Sequence, residues 1–484
     1  MDRDDGERGS DSDGPSVAAV VERVRERVTP DDDERRRLRS VAARVIAAAE
    51  EAVADFPVEA DVVQVGSTAR GTWISGDRDI DVFVRFPPDL DREDLERYGL
   101  AVGRAAVPDG REEYAEHPYI TGTVEGFDVD LVPCYRVEDG TAIQSAVDRT
   151  PFHTRYLDER IGDDLAGEVR VTKAFLKGIG VYGSDLRTEG FSGYLTELLV
   201  LEYGGFRALL SAAADWHPPM VLDPEGHAAR EFDDPLVVVD PTDPERNVAA
   251  VCSATNVARL IHHARAFLAA PDEARFERAD PEPLGPAEVR AELDRRQTTP
   301  LAVRFTAPDL VDDQLYPQLE RSLSGVADGL DRRGFDVFRT GAWAGEAGAP
   351  NDGRGTDGGD TSEPGGRPAA LFVECEVARR PRIERHEGPP VHVGEHARGF
   401  YEKYAGDGDV WGPFVDGDRY VVERPRELPT ARAFLAGDAL FSVALGARIE
   451  DALREGYDVL VDEEVATLAG TFGRDLAEFF DPGP

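Results

Sequence analysis

Two short runs, Asp79-Ile80-Asp81-Val82-Phe83 and Phe127-Asp128-Val129-Asp130-Leu131, place acids at alternate positions between apolar residues. Alternate side chains of a strand share a face. Asp79 and Asp81 would then stand together while Ile80 and Val82 enter a core, and Asp128 and Asp130 would do the same on the second strand. If the strands are neighbours, three or four carboxylates converge. Such a cluster is unfavourable until cations neutralise it, because like charges raise each other's pKa. Magnesium takes oxygen ligands and keeps positions open for phosphate and water. Two metals held by carboxylates can activate a hydroxyl and steady a leaving oxygen.

Upstream, the Gly66-Ser67 turn precedes Thr68-Ala69-Arg70. Glycine lets the backbone approach a ligand closely, and a helix starting there would aim free N–H groups at a triphosphate. Ser67 could donate to a phosphate oxygen and Arg70 could pair with one. Asp-x-Asp alone carries little in an acidic chain, and Gly-Ser carries less. The ordered set of Gly-Ser, a short gap, a strand-borne acid pair and a further strand-borne acid points to nucleotidyl transfer. Lys173 and Lys177 lie four apart, on one helix face, and with Lys403 they are the only lysines in the chain. A compact ammonium suits phosphate as a point charge; the plain alternative is a pair of solvated helix lysines.

The elements that must position these groups follow from pattern and punctuation. Val17, Val20, Val21, Val24 and Val28 recur at helical spacing. Thr29-Pro30-Asp31-Asp32 predicts a cap at Thr29, a proline in the first turn and a helix to about Asp55. Short strands are expected near Asp61–Val65, Ile80–Phe86, Tyr119–Val124 and Phe127–Pro133. Residues 155–215 read as mostly helical, Leu236–Asp240 as a strand, Pro241–Asn247 as a turn, and Ser253 as the cap of a helix through Arg265. A Pro-, Glu- and Arg-rich stretch near 272–300 marks a boundary, after which strands and helices alternate. Residues 1–15 are expected to be a disordered acidic tail, and 345–368, almost without apolar content, a floppy surface insertion. The expected domains are therefore 16–150, 151–271 and 272–484.

Composition limits the partners. The 484 residues hold 55 basic and 96 acidic side chains, a formal charge of −41. Such a chain repels nucleic acid at low salt. Acid excess with lysine depletion resembles proteins of salt-loving archaea. At about 1 M salt the Debye length is roughly 3 Å, so net charge does not exclude an RNA partner. No apolar run is long enough to span a bilayer, and the acidic start lacks the features of a signal peptide; a cytoplasmic protein is expected. Cys134, Cys252 and Cys375 show no metal-ligand spacing and read as buried thiols.

The segments VGSTARGTW, DIDVFVRFP, VDLVPCY, DRTPFHTRYL, KAFLKGIGVYG, GFSGYLTELLVLEYGGF and VVVDPTDPERNVAA run in order across residues 62–250. The chain resembles the polymerase-beta nucleotidyltransferase superfamily and, more closely, the archaeal (class I) CCA-adding enzymes. RFTAPDLVDDQLYPQLERS and the final helices also look like that family. The resemblance implies a multidomain α+β fold: a mixed-sheet nucleotidyltransferase head, a helical central domain and a C-terminal α+β RNA-binding region. It also implies roles. Asp79, Asp81 and Asp130 occupy the catalytic, metal-binding positions; the family also accepts Glu at the first, and Asp130 is preferred to Asp128 because it directly precedes LVPCY. Ser67 and Arg70 match triphosphate contacts. His153, Lys173 and Tyr182 match further nucleotide-binding positions, with Thr150 beside them, and Arg246 matches a residue near the incoming base. His117 lies at a motif-like position without an assigned role. Without the family match, His153 and the His262-His263 pair would read as structural or surface histidines, and Arg246 as a turn arginine.

The implied reaction adds CMP, CMP and AMP from CTP and ATP to a tRNA 3′ end without a template and releases pyrophosphate. Two Mg²⁺ would serve it, one on Asp130 activating the hydroxyl and one on Asp79 and Asp81 spanning the triphosphate. Base choice would fall to protein hydrogen bonds, with Arg246 a candidate. The C-terminal region would hold the tRNA by shape and backbone, with Arg379, Arg380, Arg382 and Arg385 as candidate contacts and Tyr401 and Tyr404 as candidate stacking residues; balancing of nearby acids and core packing are the alternatives. The family suggests a homodimer. The carboxylates alone fit equally a poly(A) polymerase or an oligoadenylate synthase. A non-catalytic RNA-binding scaffold would tolerate loss of a carboxylate, and none is lost. An antibiotic-modifying nucleotidyltransferase would need only a short partner domain.

Overall fold

The spaced valines build α1 (Val17–Val28), which buries Val20, Val21, Val24 and Val28. Helix α2 (Asp32–Val53) follows, but its cap is Asp31, not Thr29. The Asp31 carboxylate accepts from the Glu34 amide at 2.7 Å, and the Glu34 carboxylate accepts from the Asp31 amide at 3.1 Å. This reciprocal box satisfies two otherwise orphaned donors, which a threonine at position 29 cannot do. Thr29 instead closes α1, its hydroxyl donating to Arg25 O at 2.7 Å. The structure, a computed structural model, describes residues 16–114, 116–345 and 366–484. The acidic segment 1–15 and most of the 345–368 insertion lie outside them.

Next come β1 (Asp61–Val65), the single turn α3 (Gly66–Arg70), β2 (Asp79–Phe86), α4 (Arg92–Ala106), β3 (Arg111–Tyr114), β4 (Pro118–Val124) and β5 (Phe127–Tyr135). They form one mixed sheet in the order β1-β2-β5-β4-β3, with β2 and β5 parallel and the other neighbours antiparallel. Ile80, Val82, Val84, Val129 and Leu131 are buried beneath α2 and α4 in one core. Helix α4 lies close on the sheet because Gly99 and Gly103 present no side chain: a Cβ would overlap Pro133 at the first and Ile120 at the second.

A helical layer follows: α5 (Thr150–Asp158), α6 (Asp163–Gly178), α7 (Gly193–Tyr203), α8 (Phe206–Ala213), then β6 (Met220–Leu222), β7 (Leu236–Asp240), β8 (Asp243–Asn247) and α9 (Ala254–Ala269). Ser253 caps α9, accepting from the Asn256 amide. Phe175, Phe206, Phe267 and Phe276 pack edge to face or tilted at the centre of this layer. α1 joins this core and not that of the sheet. Residues 243–247, expected as a turn, form the edge strand β8. An edge tolerates Pro244, which has no N–H to give a ladder. The Asn247 side chain ties the hairpin to β7 by accepting from the Val238 amide at 2.9 Å and donating to Leu236 O at 3.0 Å.

The chain divides into two compact units, one running to Ala279 and including Pro484, the other Asp280–Gly483. The second contains α10 (Pro286–Arg296), β9 (Thr299–Thr306), α11 (Asp312–Asp331), β10 (Val337–Ala344), β11 (Pro368–Cys375), β12 (Ile383–Pro390), α12 (Gly394–Tyr404), β13 (Trp411–Asp416), β14 (Arg419–Pro425), α13 (Ala431–Leu435), α14 (Ala447–Glu455), β15 (Tyr457–Val461) and α15 (Ala469–Phe480). Its sheets run β10-β11-β9-β15 and β12-β14-β13. Tyr404 is buried and accepts from Arg424 at 3.3 Å, whereas Tyr401 is exposed. Arg385 pairs with Asp416, and Arg380 donates to Gly334 O. Among the described residues no helix is long and apolar enough to cross a membrane.

The close approach of α4 gives a direct test. Gly103→Val should destabilise the protein by about 1–3 kcal/mol through overpacking against Ile120, measured by guanidinium unfolding in concentrated KCl. Parental stability would show that α4 can lift from the sheet without loss.

Candidate active site

The parallel pairing of β2 and β5 sets Asp79 opposite Asp128 and Asp81 opposite Asp130. All four carboxylates occupy the sheet face away from α2 and α4. Asp79 and Asp128 are exposed and Asp81 and Asp130 half-buried. Asp128 accepts from Thr123 Oγ1 at 3.0 Å. Burial, followed by the fields of Asp130 and Asp79, pushes the Asp81 carboxyl up to about 6. Asp79, though it reaches solvent, is raised by partial desolvation and by Asp77, Asp128 and Asp130. The cations whose fields reach these groups are engaged elsewhere, Lys177 with Asp77 at 3.0 Å and Arg70 with Glu197 at 2.7 Å. Among the described residues no group of three or more His, Cys, Asp or Glu side chains is arranged to hold a metal ion by itself. An open row of carboxylates with one hard charge sign and oxygen donors only is what magnesium bridging to substrate phosphates requires. The residues therefore fit that ion.

Gly66 lies against this row. Its φ is +77°, and a Cβ there would overlap Asp81 Oδ2. The helix expected at this turn forms but is only five residues long and ends at left-handed Gly71. Ser67 and Arg70 consequently present side chains to a cleft of about 260 Å³, whose wall also includes Thr150, His153, Lys173, Tyr182 and Glu197. Five of the residues expected to bind nucleotide thus share one cavity, drawn from α3, α5, α6 and the segment before α7.

Two of them are held by a group that the sequence reading missed. Glu197 on α7 is fully buried. Its Oε2 accepts from Arg70 Nε at 3.2 Å and Nη2 at 2.7 Å, its Oε1 lies 3.4 Å from Lys173 Nζ, and Thr72 Oγ1 also donates to it. Arg70 Nη1 reaches Thr154 Oγ1 at 3.0 Å. Burial would raise the Glu197 pKa, but Lys173, Arg70 and Thr72 outweigh it and hold the group ionised. Burial lowers the Lys173 pKa against the pull of Glu197. Two cations against one anion leave this cluster positive where it meets the cleft. The signal in the sequence was a single acid inside the apolar run Tyr194–Leu201.

The structure separates the two lysines of α6. Lys173 is buried in the cleft wall, while Lys177 is partly solvated and also lies 5.3 Å from the Tyr182 ring. Arg246 is not in this cleft. It lines a larger one of about 850 Å³ with Arg149, Arg230, Phe232 and Val251, and reaches the first only through Asp240, a second buried acid that the sequence reading missed. His117 packs edge-on against Tyr135 near Glu96, outside the cleft. His262 is exposed on α9, and the neighbouring His263 contacts Arg275. The three cysteines are buried and free.

Residues 46–153 match the family model for a nucleotidyltransferase domain, 167–277 the model for the second domain of tRNA nucleotidyltransferase, and 296–349 with 363–462 the model for the C-terminal domain of the CCA-adding enzyme. The sheet, its aspartate row and the adjoining cleft thus belong to a nucleotidyltransferase. The chain is 62% identical to the CCA-adding enzyme of Haloarcula marismortui over 96% of this chain and 99% of that one. It is also 62% identical to that of Halorubrum lacusprofundi over 97% and 99%, and 44% identical to that of Methanoregula boonei over 93% of each chain. The chain belongs to the CCA-adding enzyme family. Its halophilic relatives agree with the acid-rich, lysine-poor composition.

Two measurements probe the electrostatics. Glu197→Gln leaves Arg70 and Lys173 buried without their anion and should cost about 3–5 kcal/mol, whereas Asp77→Asn, at an exposed pair, should cost less than about 1 kcal/mol; denaturant melts of both variants decide it. For Asp81 the folded pKa lies above the ordinary carboxylate value, so its contribution to stability is present below that value and lost as pH rises through about 6. Asp81→Asn should therefore melt higher than the parent at pH 8 in chelator, and gain less from added magnesium. Calorimetry showing the reverse order would remove the like-charge account.

Proposed function

We propose that this chain adds and repairs the 3′-terminal CCA of tRNA, using CTP and ATP without a template and releasing pyrophosphate. The observation that carries the reading is the in-register pairing of Asp79/Asp81 with Asp128/Asp130 beside the positive cleft of Ser67, Arg70 and Lys173. Near-complete alignment with CCA-adding enzymes supports the choice of substrate.

The terminal 3′-hydroxyl oxygen of the tRNA attacks the α-phosphorus, the bond to the α,β-bridging oxygen breaks, and pyrophosphate leaves. Ser67 donates to a triphosphate oxygen. The N–H groups of Arg70 and Lys173 not directed at Glu197 or Thr154 address the remaining phosphate charge. His153 and Tyr182 complete the nucleotide contacts, and Arg246 lies toward the base. Asp79, Asp81 and Asp130 would hold two magnesium ions, which when bound offset the gathered negative charge and acidify the attacking hydroxyl. Residues 16–150 would act as the catalytic head, 151–271 as the central nucleotide- and tRNA-binding domain, and 272–484 as the tRNA-binding region. The working form would be a cytoplasmic homodimer.

The decisive assay supplies a tRNA transcript ending before CCA, in high KCl with magnesium, with CTP and ATP separately and together. Two C additions with CTP alone and one A on adding ATP, absent in Asp81→Ala, are expected. A long A tail would indicate a poly(A) polymerase, and no incorporation by folded protein a binding scaffold.

A further inference from the structure

Asp240 ends β7 and has no exposed surface. Its Oδ2 accepts from His153 Nε2 at 2.8 Å and from Arg246 Nη1 at 2.7 Å. Its Oδ1 accepts from the Thr242 amide and hydroxyl, both at 2.9 Å, and lies 3.4 Å from the Tyr194 hydroxyl. The His153 ring also stacks on Tyr194, with centroids 3.9 Å apart and planes at 14°. Burial opposes ionisation of Asp240, yet His153, Thr242 and Arg246 outweigh it and hold the carboxyl well below its usual range. An ionised carboxylate only accepts, so His153 Nε2 carries the proton. Burial disfavours the charged ring, and in the neutral form Nδ1 is an acceptor.

His153 lines the smaller cleft and Arg246 the larger. A single carboxylate oxygen joins them. Loss of Asp240 would free both the imidazole tautomer and the guanidinium at once.

We propose that Asp240 is a positioning residue that presents His153, as an Nδ1 acceptor, and Arg246 to the incoming nucleotide in one fixed relative geometry. This rests on the nucleotide-binding reading of the site given above. Asp240 touches no reacting atom; it acts through the two side chains that it holds. A shift of about 1 Å in a group that positions substrate can cost on the order of a hundredfold in rate.

The test compares Asp240→Asn in the parent with the same substitution in a His153→Ala/Arg246→Ala background. In the parent, C and A addition should fall at least tenfold in kcat/KM, chiefly through a raised KM for CTP and ATP, measured well below the variant's own melting temperature. In the double-substituted background the further loss should be under threefold, because nothing remains to be positioned. Equal losses in both backgrounds, or no loss in the parent, would overturn the proposal. A second arm needs no activity: long-range ¹H–¹⁵N spectra of the parent, with the ring assigned by His153→Gln, should show the Nε2–H tautomer. An Nδ1–H tautomer would overturn the proposal. If the parent adds neither C nor A, the activity reading fails and this spectrum alone decides whether Asp240 sets the ring.

Discussion

A carboxylate sealed from water is tolerable only when its lone pairs are met by donors and its charge by cations. Glu197 meets that condition by drawing in Arg70 at the end of α3, Thr72 just beyond it, and Lys173 from α6. Since α7 carries Glu197, its docking fixes where the α3 turn can lie. Gly66 at the start of that turn lies against Asp81, so the same ionic cluster sets the spacing between the Gly66–Arg70 turn and the aspartate row. Arg170, itself buried, donates to Gly71 O and pins the turn from α6. Helical layer and sheet are thereby joined at the site.

Local signals explain why much of the first unit was legible. Strand alternation at Asp79–Phe83 and Phe127–Leu131 defined both the buried face and the acid face, and the structure keeps them. Helix α1 came from its valine spacing and α9 from the Ser253 cap. Failures occurred where two local rules competed. Asp31 with Glu34 makes a better cap than Thr29, and the Asp-Pro pair at 243–244 suggests a turn although an edge strand accommodates it. The strand β3, Arg-Glu-Glu-Tyr, has no apolar alternation to betray it because half of it faces water.

The site divides along a similar line. Ser67, Arg70, His153, Lys173 and Tyr182 were found as motif members and do share a cavity. The groups that hold them, Glu197, Asp240, Thr72, Thr154 and Tyr194, were not found. Their roles are pairings between residues far apart in the chain, which spacing does not encode. What the sequence did contain was an acid midway along an apolar helix and another closing an otherwise all-apolar strand. Both are places where burial of a charge demands a partner, even when the partner's identity is hidden. Arg246 shows the converse: its motif was recognised, but only the folded chain places it on the far side of Asp240.

The parallel register of β2 and β5 also bears on how the protein reaches its native state. The two strands are separated in the chain by α4, β3 and β4, so their pairing is a non-local event, of the kind that slows folding. It is also the event that brings Asp79 and Asp81 against Asp128 and Asp130. Closing the sheet thus does electrostatic work before any substrate is present, a cost carried by the folded state. Concentrated salt, by screening the four charges while they are still solvated, eases that closure. The same screening that suits an acidic surface also lowers the cost of bringing these four aspartates together.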